Sequence, residues 1–243
     1  MKMFNVKRLI GAVVACGLIV AANAAPADAA FLMRLSDGTL TKVISDENAV
    51  SVPAADTSDA ALGSPGVVAF IGTLGVFNIN ASTGADLSDP LSSIVDLVSL
   101  NARNTSGAPK TLTIELSLTG LTQANGLSFL HEIWDGNISG AGTVSGVGCV
   151  DDANLVFSCG VSAGVMGPFA PVHFSGDQNV VNTVTSPYSM YILLTYATTG
   201  VSSWSGNFQL TESSVPEPGS MMLLGSGLLV LAKTARRRFG KKA

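Results

Sequence analysis

Period-two alternation constrains this chain more than any other feature. Thr111-Leu-Thr-Ile-Glu-Leu-Ser-Leu-Thr119 puts Leu112, Ile114, Leu116 and Leu118 on one side and polar residues on the other, because successive strand side chains point to opposite faces. Met190, Ile192, Leu194 and Tyr196 repeat the pattern, with Tyr191, Leu193 and Thr195 between them. Apolar residues on both faces predict a central strand there. Trp204, Phe208 and Leu210 share a face of a last strand. Further strands are predicted at Leu40–Ile44, Val67–Ile71, Gly75–Asn80, Ile94–Asn101, Leu127–Trp134, Asn154–Phe157 and Asn179–Val184. Asn125-Gly126, Asp135-Gly136, Ser64-Pro-Gly66 and Ser186-Pro187 supply turn chemistry between them. Ser45 to Gly66 reads as a long loop, and the Gly/Ser-rich stretch from Gly136 to Gly148 as a wide hairpin or loop. Short alternating runs broken by turn residues predict an all-β fold, a two-sheet sandwich of jelly-roll type.

The two ends do not belong to that domain. Lys2, Lys7 and Arg8 precede an apolar stretch from Leu9 to Ala22 and the small residues Ala22-Asn-Ala24. A basic start, an apolar segment and an A-x-A site make a secretory signal peptide. This predicts residues 1–24 as the signal, with Ala27-Asp-Ala29 as an alternative cleavage site. A lipobox reading of Val13-Val-Ala-Cys16 stays open, although Gly17-Leu-Ile-Val20 continues the apolar run beyond the cysteine. The exported domain then spans residues 25–214, and residues 215–243 form a separate tail.

Removing the ends exposes the domain's charge. Residues 31–214 hold four basic side chains, Arg34, Lys42, Arg103 and Lys110, against fifteen acidic ones, a balance of 4 − 15 = −11. So acidic a surface repels phosphate backbones, which excludes nucleic acid as a partner. Cys149 and Cys159 remain once Cys16 leaves with the signal. In an oxidising compartment the pair predicts a disulfide.

The tail has its own order. Val215-Pro-Glu-Pro218 is followed by an apolar run from Met221 to Ala232, then by Arg236, Arg237, Arg238, Lys241 and Lys242. Pro216 and Pro218 fix φ and lack an N–H, so they hold Glu217 in an extended segment. Gly219 to Ala235 would reach about 25 Å as a helix, slightly short of a ~30 Å hydrocarbon core, and this predicts one transmembrane helix. Lys233 falls near its end, where its stem reaches the interface. The basic cluster stays cytoplasmic by the positive-inside rule. Box, span and cluster together resemble the PEP-CTERM sorting tail of Gram-negative bacteria. The resemblance implies Val215, Pro216, Glu217 and Pro218 as the sorting motif and Arg236–Arg238 as the membrane stop. It implies an exosortase and the inner membrane as partners, and delivery to the cell surface or extracellular matrix. A structural or adhesive role in exopolysaccharide or biofilm follows as an expectation, with exopolysaccharide as a further partner. The alternative is a carbohydrate-binding module.

Little in the domain reads as chemistry. His131-Glu132-Ile-Trp-Asp135 is the densest polar cluster, with His131, Ile133 and Asp135 on one face and Glu132 and Trp134 on the other. It reads as an edge strand entering a turn, because a metal needs three or four converging ligands. Asp151, Asp152 and Asn154 offer oxygen ligands for Ca²⁺ but lack a calcium-loop spacing and read as a solvated acidic loop. There is no G-x-S-x-G elbow, and two histidines, His131 and His173, draw no Ser-His-Asp order. Glu115, Glu132 and Glu212 are too dispersed to pair by sequence alone. The expectation is a non-enzyme without cofactor or metal. Trp134, Trp204 and Tyr188, Tyr191 and Tyr196 would stack on sugars only from a groove, and at alternating strand positions they read as core.

Overall fold

The computed structural model describes residues 30–46, 59–89, 91–215 and Ser226. The predicted signal peptide, most of the Ser45–Gly66 segment and the tail beyond Val215 lie outside the described residues, with the exception of Ser226. Ten strands account for nearly all of the described domain: β1 (Phe31–Ser36), β2 (Thr41–Ser45), β3 (Val67–Leu74), β4 (Phe77–Asp86), β5 (Ser92–Asn104), β6 (Lys110–Leu121), β7 (Gly126–Asp151), β8 (Val161–Phe169), β9 (Val172–Val184) and β10 (Tyr188–Ser214). The fold is all-β, and every pairing is antiparallel.

A single hydrogen-bonded sheet runs through all ten strands. Its spine is a ribbon of β7 and β10, paired from Ser128↔Ser214 to Asp151↔Ser189. The ribbon's register shifts between Thr198 and Ser202, and its neighbours change there. The first half of β10 pairs β6 and the second half pairs β5. The second half of β7 pairs β8, and the first half pairs β9. The result is two six-strand layers, β2-β1-β6-β10-β7-β8 and β3-β4-β5-β10-β7-β9, joined where the ribbon folds over. Gly140 sits at the fold with φ +87°, and a Cβ there would lie 2.7 Å from the Val201 carbonyl. Only glycine is free of strain in that backbone region. Asn104, fully buried, pins the same place: its amide donates to Thr198 Oγ1 at 2.7 Å and to the Gly200 carbonyl at 3.1 Å.

The predicted alternation is the core. Leu112, Ile114, Leu116 and Leu118 of β6, Met190, Ile192, Leu194 and Tyr196 of β10, and Trp204, Phe208 and Leu210 further along β10 are all buried in one cluster. β10 is central, as its two apolar faces require. Phe169 of β8 stacks on Phe174 of β9 at 4.6 Å, and both meet Trp134 edge-on at 5.3 Å, which closes one side of the sandwich.

Three expectations fail here. Gly136–Gly148 is strand rather than loop, and β7 runs straight through Asp135-Gly136. Its inward glycines make room for large neighbours: a Cβ on Gly148 would lie 2.3 Å from Leu210 Cδ1, and one on Gly146 would lie 2.6 Å from Leu194 Cδ2. His131–Asp135 is therefore interior to the sheet, with β10 on one side and β9 on the other, not an edge. Asn154–Phe157 is a turn, because Asn154 (φ 54°) and Phe157 (φ 53°) take left-handed conformations that no strand uses.

Candidate functional site

The two outward faces of the sandwich differ. On the β6 layer, the disulfide joins Cys149 to Cys159 across ten residues, and the loop it closes lies over the sheet. Phe157 N–H donates to Ser117 Oγ at 3.0 Å, Asn154 Oδ1 accepts from Gly120 N–H at 2.7 Å, and Ser189 Oγ–H donates to the Leu155 carbonyl at 2.9 Å. Beneath it, the Arg34 guanidinium grips both oxygens of Glu115 and lies 4.2 Å from the Phe157 ring centroid. Tyr191 O–H donates to Glu115 Oε1 at 2.7 Å. Burial and the Glu115 carboxylate push the Tyr191 phenol well above its usual range. This face is capped.

On the β5 layer the outward face is open. A groove of about 1030 Å³ crosses all six strands near the fold-over, at the upper end of the size range of ligand pockets. Strand register builds it from two parallel ladders. Ile71, Asn80, Asn101, Ser205 and Asn137 pair in succession across β3, β4, β5, β10 and β7. Thr73, Asn78, Arg103, Ser203 and Ser139 form the next ladder. Val172 closes the β9 side. A smaller hollow of about 330 Å³ continues past Asn101, Asn137 and Ser205 to Asp135, His173 and Asn207. Farther along the face towards Ser214, Leu127, Phe129 and Val181 are exposed apolar side chains.

Among the described residues no aromatic ring is exposed on the groove floor. Its walls carry amides, hydroxyls and one guanidinium, and among the described residues Arg103 has no ion-pair partner. Trp204 lines the groove through its backbone position, but its side chain is only 1 % exposed, as is that of Trp134. Tyr188, Tyr191 and Tyr196 are buried as well. A stacking platform made of these aromatics is thereby ruled out, as their alternation predicted. The polar ladders went unread in the sequence, yet each strand signals one: Asn78-Ile-Asn80, Asn101-Ala-Arg103, Asn137-Ile-Ser139 and Ser203-Trp-Ser205 all read polar, apolar, polar. Only strand order shows that the four coincide.

The other candidates come apart. Asp151 caps Ala153 N–H, Asp152 accepts from Thr185 N–H, and Asn154 serves Gly120. Three side chains spent on three separate amides do not converge on a cation. His131 pairs with exposed Asp177 at 2.9 Å. His173 lies opposite Asn137, six residues along β7 from His131 or roughly 20 Å. Among the described residues no three potential ligands cluster. Asn104 is buried at the fold-over and is structural.

Glu132 and Glu212 take inward positions on adjacent strands, Glu132 opposite Leu210 and Glu212 opposite Leu130. Gly148 N–H and Gln178 Nε2–H each donate to Glu132 Oε2 at 3.2 Å. With its amide nitrogen turned towards Glu212, Asn182 donates to Oε1 at 3.1 Å. One oxygen of each carboxyl, Glu132 Oε1 and Glu212 Oε2, has no hydrogen-bond partner. Burial pushes both groups from an ordinary 4.5 up to about 7. Neither carboxyl lines the groove.

Strand β10 ends at Ser214, and Val215 N–H still donates to the Leu127 carbonyl at 2.9 Å. Directly from this point, residues 214–238 match the PEP-CTERM protein-sorting motif. The chain thus carries the PEP-CTERM sorting motif. That motif is the signal an exosortase recognises, and it implies export and processing in transit through the membrane. Among the described residues no helix is long and apolar enough to cross a membrane. No curated protein matches the chain. Among solved structures it is similar to TmCBM61 in complex with β-1,4-galactotriose, with a TM-score of 0.31 and 8 % identity over 57 % of this chain and 90 % of that one. It is also similar to the adhesin domain of Epf from Streptococcus pyogenes, with a TM-score of 0.33 and 12 % identity over 74 % of this chain and 57 % of that one. Likenesses this distant say nothing about a ligand.

Proposed function

We propose that this is an exported, non-catalytic protein that an exosortase sorts through its C-terminal tail to the cell surface or extracellular matrix. Its jelly-roll-type sandwich then serves a structural or adhesive role in exopolysaccharide or biofilm. The observation that carries the reading is the sorting motif at residues 214–238, which begins where the last strand ends. Cys149–Cys159 suits an oxidising destination. Glu132 and Glu212 face the interior and do not line the groove. Deleting the gene and measuring matrix composition and cell aggregation tests the role. Lowered aggregation or an altered matrix is expected, and an unchanged matrix with unchanged aggregation would overturn it.

A carbohydrate-binding module at the cell surface is the second reading. The open groove on the β5 layer favours it, since the opposite face is covered by the disulfide loop.

A further inference from the structure

The geometry points to the groove across β3, β4, β5, β10, β7 and β9 as a binding site for an extended, uncharged polysaccharide, an assignment that rests on the matrix role proposed above. Six strands span five steps of about 4.8 Å, a path of roughly 24 Å that suits a polymer segment better than a single sugar. Along it stand Asn78, Asn80, Asn101 and Asn137, and each amide offers two donors and an acceptor. Ser139, Ser203 and Ser205 add hydroxyls that act either way. Groups that both donate and accept match hydroxyls, which do the same. Period-two geometry fixes their spacing, so the site is held by the sheet and not by loops. That rigidity lowers the ordering cost of binding.

Charge selects among polymers. Among the described residues Arg103 is the one cation lining the groove, set on a domain that carries −11 between residues 31 and 214. A polyanion would be repelled at long range, whereas a neutral chain meets no such field, and the planar Arg103 fork donates to paired hydroxyls. The absence of an aromatic floor means that affinity rests on hydrogen bonds and contact. The fold-over lies about twelve residues of β10 from Ser214, or roughly 40 Å, so the groove sits at the end of the domain away from the tail.

The test is affinity electrophoresis of the full chain in mild detergent, in gels carrying dextran, mixed-linkage β-glucan, galactan, alginate or the native host's own secreted polysaccharide. Retardation by at least one neutral polymer is expected. Asn101→Ala combined with Asn137→Ala should weaken it by about tenfold or more, and Arg103→Ala should also weaken it. Thr143→Ala, exposed on the other layer, should leave it unchanged. Melting temperatures of the variants should match the parent, because all four positions are at the surface. The assignment falls if no neutral polymer retards the protein, if the groove variants bind as well as the parent, or if alginate is preferred. Correct sorting of a non-binding protein would sink this site and leave the matrix role standing, and missorting of a binding protein would do the reverse.

Discussion

Glu132→Gln should stabilise this protein in alkaline solution and leave it unchanged in acid. Glu132 is wholly buried between β10 and β9, and burial raises its pKa from 4.5 to about 7. The folded carboxyl therefore binds a proton more tightly than the unfolded one, and stability falls as pH rises. The contribution is fully present below pH 4.5, declines as pH climbs towards 7, and is gone above it. A displacement from 4.5 to about 7 corresponds to roughly 3 kcal/mol, of which about 2.5 falls between pH 5 and pH 8. Glutamine keeps an oxygen for Gly148 N–H and Gln178 but never ionises. Thermal melts followed by tryptophan fluorescence would read the change, since Trp134 is two residues away. At pH 8 the variant should melt roughly 5–10 °C above the parent, and at pH 4 the two should coincide. Glu212 carries the same shift for the same reason, so the double variant Glu132→Gln/Glu212→Gln should flatten the pH dependence further. A parent with equal stability at pH 5 and pH 8, or a variant destabilised equally at both, would refute the reasoning.

Three further outcomes follow from packing. Reducing Cys149–Cys159, or replacing both by serine, should cost about 3 kcal/mol on the chain-entropy account, read as a lower urea midpoint, and should raise proteolysis within residues 152–158. Gly136→Ala should destabilise by about 1–3 kcal/mol, because its Cβ would stand 2.6 Å from the Ser205 carbonyl and 2.7 Å from Phe174 Cζ; a melting temperature equal to the parent's would contradict it. Arg34→Ala leaves Glu115 beside Tyr191 without its guanidinium partner. It should cost on the order of 1–3 kcal/mol and increase the exposure of Phe157, measurable by urea denaturation and hydrogen exchange.

Sequence legibility was uneven for physical reasons. Leu112–Leu118 and Met190–Tyr196 declare themselves because one face of a buried strand must be apolar, and both lie in the core. Gly142, Gly146 and Gly148 hid half of β7, since a glycine that yields space to Leu194 or Leu210 looks like a loop residue until its neighbour is known. β8 was hidden by Gly164, Gly167 and Pro168, which are tolerated because this strand pairs only with β7. β1 was missed beside the apolar leader. The cysteine pairing was legible from spacing and compartment, and the sorting tail from residue order. The groove was not, because Asn80 and Asn137 are far apart in sequence and meet only through the strand order β4-β5-β10-β7.

The central claim is that the tail addresses this domain for export and exosortase handling. Intact mass and terminal peptides of the mature protein, taken from native-host envelope and medium, test it most directly. A C-terminus near Pro216–Pro218 is the expected result. A mature chain that retains Arg236–Arg238 in the membrane would contradict it and leave a plain anchored domain.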